Sequence, residues 1–331
     1  MADTRQIGVQ AVWAVSGIVL AVVLFRLLGF SSEQDAARIL DAARRGDVEG
    51  VRAAVEGGVD PDVATREGWT ALHYAAYLRS RPTVDALLAL GADADARSIS
   101  GQSPLHRVAH NGDVGIARAL VAHGGSVDAA TREGETPLVV ALRRGRVALA
   151  RYLLDQGARL DAREPRTGAG VLELAVMAND AELVGRLIDA GAPMNGRLPD
   201  GLTALHLAAG MGSPEIVDRL LAHGVPPDLP DAAGNTALHL AARGQRLAVV
   251  RRLLRAGADP ERRNAAGRTP RDLVGDGAPE ALRALLAPAP SPSVAPDAGA
   301  CSSVPRGLLA SVRRLRPHEV CSHARHGGIP S

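Results

Sequence analysis

Residues 203–224 read TALHLAAGMGSPEIVDRLLAHG. Thr203 can cap a helix with its hydroxyl, and the apolar run from Ala204 to Ala209 supplies a short helix behind it. Ile216, Val217, Leu220 and Leu221 then recur at three- and four-residue spacing, which gives a second helix one apolar face. Gly224 can take the left-handed conformation that ends such a helix. Neither helix can bury its apolar face by itself.

The same unit recurs along the chain. Its capping residue falls at Thr70, Ser103, Thr136, Thr203, Thr236 and Thr269, with Gly170 standing in between Thr136 and Thr203. The steps are 33, 33, 34, 33, 33 and 33. The closing glycine falls at Gly58, Gly91, Gly124, Gly157, Gly191, Gly224 and Gly257. Both series place one inserted residue between Gly157 and Gly170, in the loop holding Glu164, Pro165 and Arg166. Stacked neighbours can bury the faces that isolated units cannot, so the units must cohere as one solenoid.

The strings Thr70-Ala71-Leu72-His73, Ser103-Pro104-Leu105-His106, Thr203-Ala204-Leu205-His206 and Thr236-Ala237-Leu238-His239 resemble the ankyrin repeat. So do the Gly-Ala-Asp triplets at 91–93 and 257–259. The resemblance covers residues 34–286 as about eight units. It implies an all-α solenoid of helix–turn–helix units carrying β-turn fingers. The first unit, near 37–61, lacks the Thr-Pro-Leu-His string and reads as an N-terminal cap. The last, from Thr269-Pro270-Arg271-Asp272-Leu273, shortens like a C-terminal cap. Val139 and Glu173 replace the histidine in two central units. With the inserted residue, they make the middle the least regular part of the stack.

The two ends read differently. Ile7 to Phe25 is an uncharged run, and as a helix it would be roughly 28 Å long, close to a ~30 Å hydrocarbon core. Residues 1–30 are expected to be one transmembrane anchor preceding the solenoid, an uncleaved signal in effect. Asp3 offsets Arg5, and no Ala-x-Ala follows Arg26, which disfavours cleavage. Arg26, Arg38, Arg44 and Arg45 follow the run, against Arg5 before it, so the positive-inside rule places the repeats in the cytoplasm; a large domain can override that rule, leaving the periplasmic side open. Residues 287–331 begin with a Pro/Ala/Ser stretch of linker composition and are expected to be a disordered, basic tail.

Composition removes several function classes. Aromatics are 2% of 331 residues, too few for the packed sheets of sandwiches and barrels. Net charge is +2, and all 38 basic residues are Arg, a bias that fits a GC-rich coding sequence. The positive excess lies at the two ends, so no large basic field exists for nucleic acid. The only cysteines, Cys301 and Cys321, lie in the tail and build no disulfide framework. There is no Gly-x-Ser-x-Gly elbow, phosphate-binding loop, dinucleotide fingerprint or His-Glu-x-x-His, so an enzyme is not expected.

Histidine could suggest a metal. His73, His106, His206 and His239 recur once per unit, about 8–10 Å apart if their helices stack, too far to share an ion bound at ~2 Å. The ankyrin resemblance implies instead that each hydrogen-bonds backbone and Thr in the adjoining turn. His106 and His110 are spaced as a possible helical pair, without a third ligand nearby. His318, Cys321, His323 and His326 crowd the tail but match no metal-ligand spacing. No metal or cofactor is assigned.

The expected function is therefore protein binding on the concave face of a membrane-anchored module: a scaffold, adaptor or inhibitor. A secreted or periplasmic binder released by cleavage is the alternative. By the ankyrin pattern, Trp69 lies at a finger tip and Tyr77 and Leu78 face the concave side, while Tyr74 packs. Trp69, Tyr77 and Leu78 form the expected hot spot, since exposed Trp and Tyr dominate interface energetics; the alternative is that Trp69 and Tyr77 cover one another or rest on the bilayer surface beside the anchor. Gln102, His110, Asn111, Glu135, Arg143, Arg144, Asn235 and Arg243 occupy equivalent positions and are expected to form a polar rim.

Overall fold

The computed structural model describes residues 33–287. The expected anchor at 1–30 and the expected tail beyond Ala287 lie outside those residues. Among the described residues no helix is long and apolar enough to cross a membrane, and no strand is formed.

The described chain is a stack of helix pairs. In order these are α1 (Glu33–Arg45) with α2 (Val48–Glu56), α3 (Ala71–Tyr77) with α4 (Arg81–Ala89), and α5 (Pro104–Asn111) with α6 (Val114–Ala122). Then come α7 (Pro137–Arg143) with α8 (Val147–Asp155), α9 (Val171–Met177) with α10 (Ala181–Asp189), and α11 (Ala204–Met211) with α12 (Pro214–Ala222). The last are α13 (Ala237–Arg243) with α14 (Leu247–Arg255), and a 3-10 turn (Arg271–Leu273) with α15 (Glu280–Leu285).

The repeat period becomes a packing period. On the first helices Leu72, Leu105, Leu138, Leu172, Leu205 and Leu238 are buried in one register. On the second helices Leu87, Leu120, Leu153, Leu187, Leu220 and Leu253 form a parallel row, each fully buried. Small residues on the first helices, such as Ala75, Ala76, Ala109 and Ala141, are also solvent-free and let neighbouring backbones approach. Ile39 and Val51 close the core at one end and Leu282 at the other.

Local sequence sets the helix ends. Asp113 and Asp180 cap α6 and α10, accepting from Ile116 N at 3.0 Å and Leu183 N at 2.7 Å. Pro104 and Pro137 sit at the first helical position, where a missing N–H is harmless. Gly191 follows α10 with φ +87° and has open space around it.

Each unit projects a β-turn finger. Thr65 N donates to Trp69 O at 3.0 Å and Gly68 N to Thr65 O at 2.9 Å, and the pattern repeats at Ser98–Gln102, Thr131–Glu135, Leu198–Leu202, Asp231–Asn235 and Asn264–Arg268. Neighbouring fingers are tied by one backbone bond each. Ile99 N reaches Glu67 O, Arg132 N reaches Ser100 O, and Ala232 N reaches Asp200 O, all at 2.9 Å; Ala265 N reaches Ala233 O at 3.0 Å. Gly201, at φ +79°, allows this approach: a Cβ there would lie 2.6 Å from Ala232 N.

The ladder stops on both sides of the fourth finger. The residues in donor register there are Pro165 and Pro199, and proline has no N–H to give. That finger, Glu164 to Ala169, also carries the inserted residue, and closes through Glu164 N to Ala169 O at 2.8 Å. Thr167 N and Oγ1 hold the buried Glu164 carboxylate from inside the loop, both at 2.6 Å.

Candidate interaction surface

The inner face of the stack is bounded by the fingers and the first helices, and a histidine braces it in four units. His73 Nδ1 accepts from Thr70 N at 3.3 Å and lies 2.9 Å from Thr70 Oγ1, while Nε2 faces Gln102 O at 3.0 Å. A carbonyl can only accept, so Nε2 carries the proton and Nδ1 is the acceptor; the Thr hydroxyl therefore donates. His106, His206 and His239 repeat this with Glu135 O, Asn235 O and Arg268 O, each at 3.0 Å. Burial lowers all four pKa values, to about 4 for His73 and His106. Both ring nitrogens of His106 are engaged, so it has no lone pair free to share with His110 on a metal. Among the described residues no three His, Cys, Asp or Glu side chains cluster as metal ligands.

Where histidine is missing, the brace between fingers is missing as well. Thr136 Oγ1 accepts from Val139 N at 3.4 Å, and the Val139 side chain has no polar atom with which to reach the fourth finger. Glu173 is buried; one oxygen accepts from Gly170 N at 3.0 Å, and Oε1 has no hydrogen-bond partner. Burial raises its pKa. The fourth finger thus lacks the histidine brace at the same two junctions where proline removes the backbone bond.

Trp69 is half-buried. Its ring meets His73 edge-on, with centroids 4.9 Å apart, and the Arg107 guanidinium lies 3.7 Å from its centroid. Arg107 also lies 5.6 Å from the Tyr77 ring. The aromatics are bridged by a cation from the next unit, an arrangement the sequence did not signal. Tyr77 is 51% exposed and Leu78 48%. Tyr74 is held from the preceding unit, its hydroxyl accepting from Arg44 Nη2 at 2.8 Å.

The polar positions separate into engaged and free groups. Asn111 Nδ2 donates to Ala76 O at 2.8 Å and its Oδ1 accepts from Asp113 N, so its amide ties two units together. Asn235 donates to Asp231 and accepts from Asn264. Glu135 receives Arg143 Nη2 at 2.7 Å. Gln102 and His110 line a cavity of about 340 Å³ between the third and fourth fingers, together with Arg107, Arg143, Arg144 and Arg166. Arg144, Arg166 and Arg243 are exposed and make no ion pair among the described residues. His110's pKa is lowered, first by partial burial and then by Arg144, Arg107, Arg143 and Arg146 around it.

Two exposed side chains on this face were passed over by sequence reasoning. Met177, 52% exposed, is in register with Tyr77, His110 and Arg143; Met211, 40% exposed, is in register with Leu78, Asn111 and Arg144. The period itself was the signal that would have found them. The inner face therefore runs from aromatic, through cationic, to thioether.

A search of the curated proteins found no match. A family model described as ankyrin repeats in three copies matches residues 24–98, 80–164 and 172–264, which together make up more than half of the chain. Paired helices and buried-leucine rows recur along the described part of those residues, and the chain belongs to the ankyrin-repeat family.

Proposed function

We propose that this chain is a membrane-anchored protein-binding module whose partner docks on the inner face of units two to four. Ankyrin repeats are protein-interaction modules, and no catalytic family matches. The observation that carries the site is the cluster of Trp69, Arg107 and Tyr77, with Leu78 exposed beside it. Interface hot spots are enriched in Trp, Tyr and Arg, and half-exposed aromatics beside unpaired arginines offer both burial and orientation. The uncharged run from Ile7 to Phe25 supports the anchor, and the arginines that follow it support a cytoplasmic domain.

The test uses the full chain in its native cells. A photo-crosslinking residue at position 78 should capture a discrete partner, and the same residue at exposed Arg251 on α14 should not. Trp69→Ala with Tyr77→Ala should weaken that capture by at least ~2 kcal/mol, roughly thirtyfold. Capture from position 251 alone would overturn the site. Full-length protein extracted by carbonate would overturn the anchor.

A further inference from the structure

Four arginines and a histidine of the inner face gather in one place. Arg107, His110, Arg143, Arg144 and Arg166 all line the cavity between the third and fourth fingers. Arg143 is engaged by Glu135 and Arg107 by the aromatic rings, which leaves Arg144 and Arg166 exposed and unpaired among the described residues. Apolar side chains flank this centre. Tyr77 and Leu78 lie on the N-terminal side, Met177 and Met211 on the C-terminal side, all exposed.

We infer that this groove takes an extended acidic segment of a partner protein, its carboxylates on Arg144 and Arg166 and its apolar ends on Tyr77–Leu78 and Met177. The inference rests on the proposed docking face and adds the chemistry of what docks there. An arginine fork matches a carboxylate bidentately. A polyanion such as nucleic acid fits less well: Glu135 is taken by Arg143 and Glu164 by Thr167, so Arg144 and Arg166 can match one or two well-placed carboxylates but not a continuous row of phosphates. Length agrees with a peptide. Neighbouring first helices pack about 8–10 Å apart, so Tyr77 and Met177, three units apart, are separated by roughly 27 Å. An extended chain rising about 3.3 Å per residue covers that in about eight residues, with its acidic centre over the arginines.

The fourth finger suits this task. It carries Arg166, and both its junctions lack the backbone bond and the histidine brace that fix the other fingers. It can close on a bound segment or withdraw from it without breaking a ladder bond. A partner's carboxylate shared by Arg144 and Arg166 would tie the fourth finger to the end of α7.

The experiment measures fluorescence anisotropy of the full chain in non-ionic detergent at about 50 mM salt, where exposed charges are weakly screened. The probe is the labelled peptide Leu-Ser-Glu-Glu-Ser-Glu-Glu-Ser-Leu. Binding should weaken about fivefold or more in Arg144→Gln/Arg166→Gln, when Gln replaces Glu in the peptide, and at about 300 mM salt. Both arginines are exposed, so the far-ultraviolet spectrum and the melting temperature should stay unchanged. No binding of the acidic peptide, equal binding by the double variant, or tighter binding of a labelled twelve-nucleotide single-stranded DNA each overturns the inference. If position 78 still captures a partner while the acidic peptide fails, the docking face stands and its acidic chemistry falls. If neither binds, both readings fall.

Discussion

Acid should unfold this stack through its histidine braces, and the size of the effect follows from their burial. His73 and His106 titrate near 4 in the folded chain, against about 6.5 when exposed. Between those values the unfolded state binds more protons, so stability is fully present above about pH 7 and is lost as pH falls toward 4. At pH 5 the loss is about 2 kcal/mol for each, or about 4 kcal/mol for the pair. His206 and His239 are shifted the same way and add to it. Glu173 acts in the opposite sense, since burial raises its pKa and acidification removes a buried charge. A subtraction isolates one brace. His106→Val copies what the chain itself does at Val139. Urea unfolding followed by far-ultraviolet circular dichroism, at about pH 7.5 and pH 5, should show the variant losing about 2 kcal/mol less than the parent across that interval. Glu173 contributes equally to both proteins and cancels. An equal pH dependence in parent and variant would refute the argument that His106 is a buried, neutral donor.

Two further outcomes test the central junctions and the fingers. Gly170→Thr with Glu173→His rebuilds the Thr–His brace and should stabilise the chain by about 1 kcal/mol, the net worth of a typical hydrogen bond, seen as a higher urea midpoint and a steeper transition as coupling across the junction rises. Gly191→Ala should cost about 1–2 kcal/mol for its positive φ alone, whereas Gly201→Ala should cost clearly more, because its Cβ would meet Ala232 N at 2.6 Å; equal losses in thermal melts would sink the claim that fingers approach closely there.

The helix pairs were legible because burial repeats with the sequence. Leu205 and Leu238 are core for the same reason, and reading one reads the other. The histidines were legible through the family resemblance, and their partners sit 29 residues ahead, as one period requires. Arg107 on Trp69 was not legible. That contact spans 38 residues and depends on which way a long side chain lies across a unit boundary, which periodicity does not specify. Asn111 looked like a free rim residue, yet its amide bonds backbone carbonyls of the preceding unit, a choice set by local geometry. Met177 and Met211 are in register with Tyr77 and Leu78, but the inserted residue before Gly170 shifts the count by one between them and the aromatic unit. Pro165 and Pro199 carry a signal that becomes readable only once the donor register of Ile99, Arg132, Ala232 and Ala265 is known.

The two proline junctions bear on how the whole stack comes apart. In a linear array, stability is a sum of each unit's own free energy and its coupling to the next. Coupling is weakest where a ladder bond and a brace are both absent, on either side of the fourth finger. On that count the described stack divides into two blocks joined through a softer central unit, crossed by the ion pairs Arg151–Asp180, Arg151–Glu182 and Arg186–Asp155. In rising denaturant the blocks part company, and a state with one block folded and the other open becomes populated. A single transition midpoint would average over two events, and amide exchange would divide the sequence near Pro165 and Pro199.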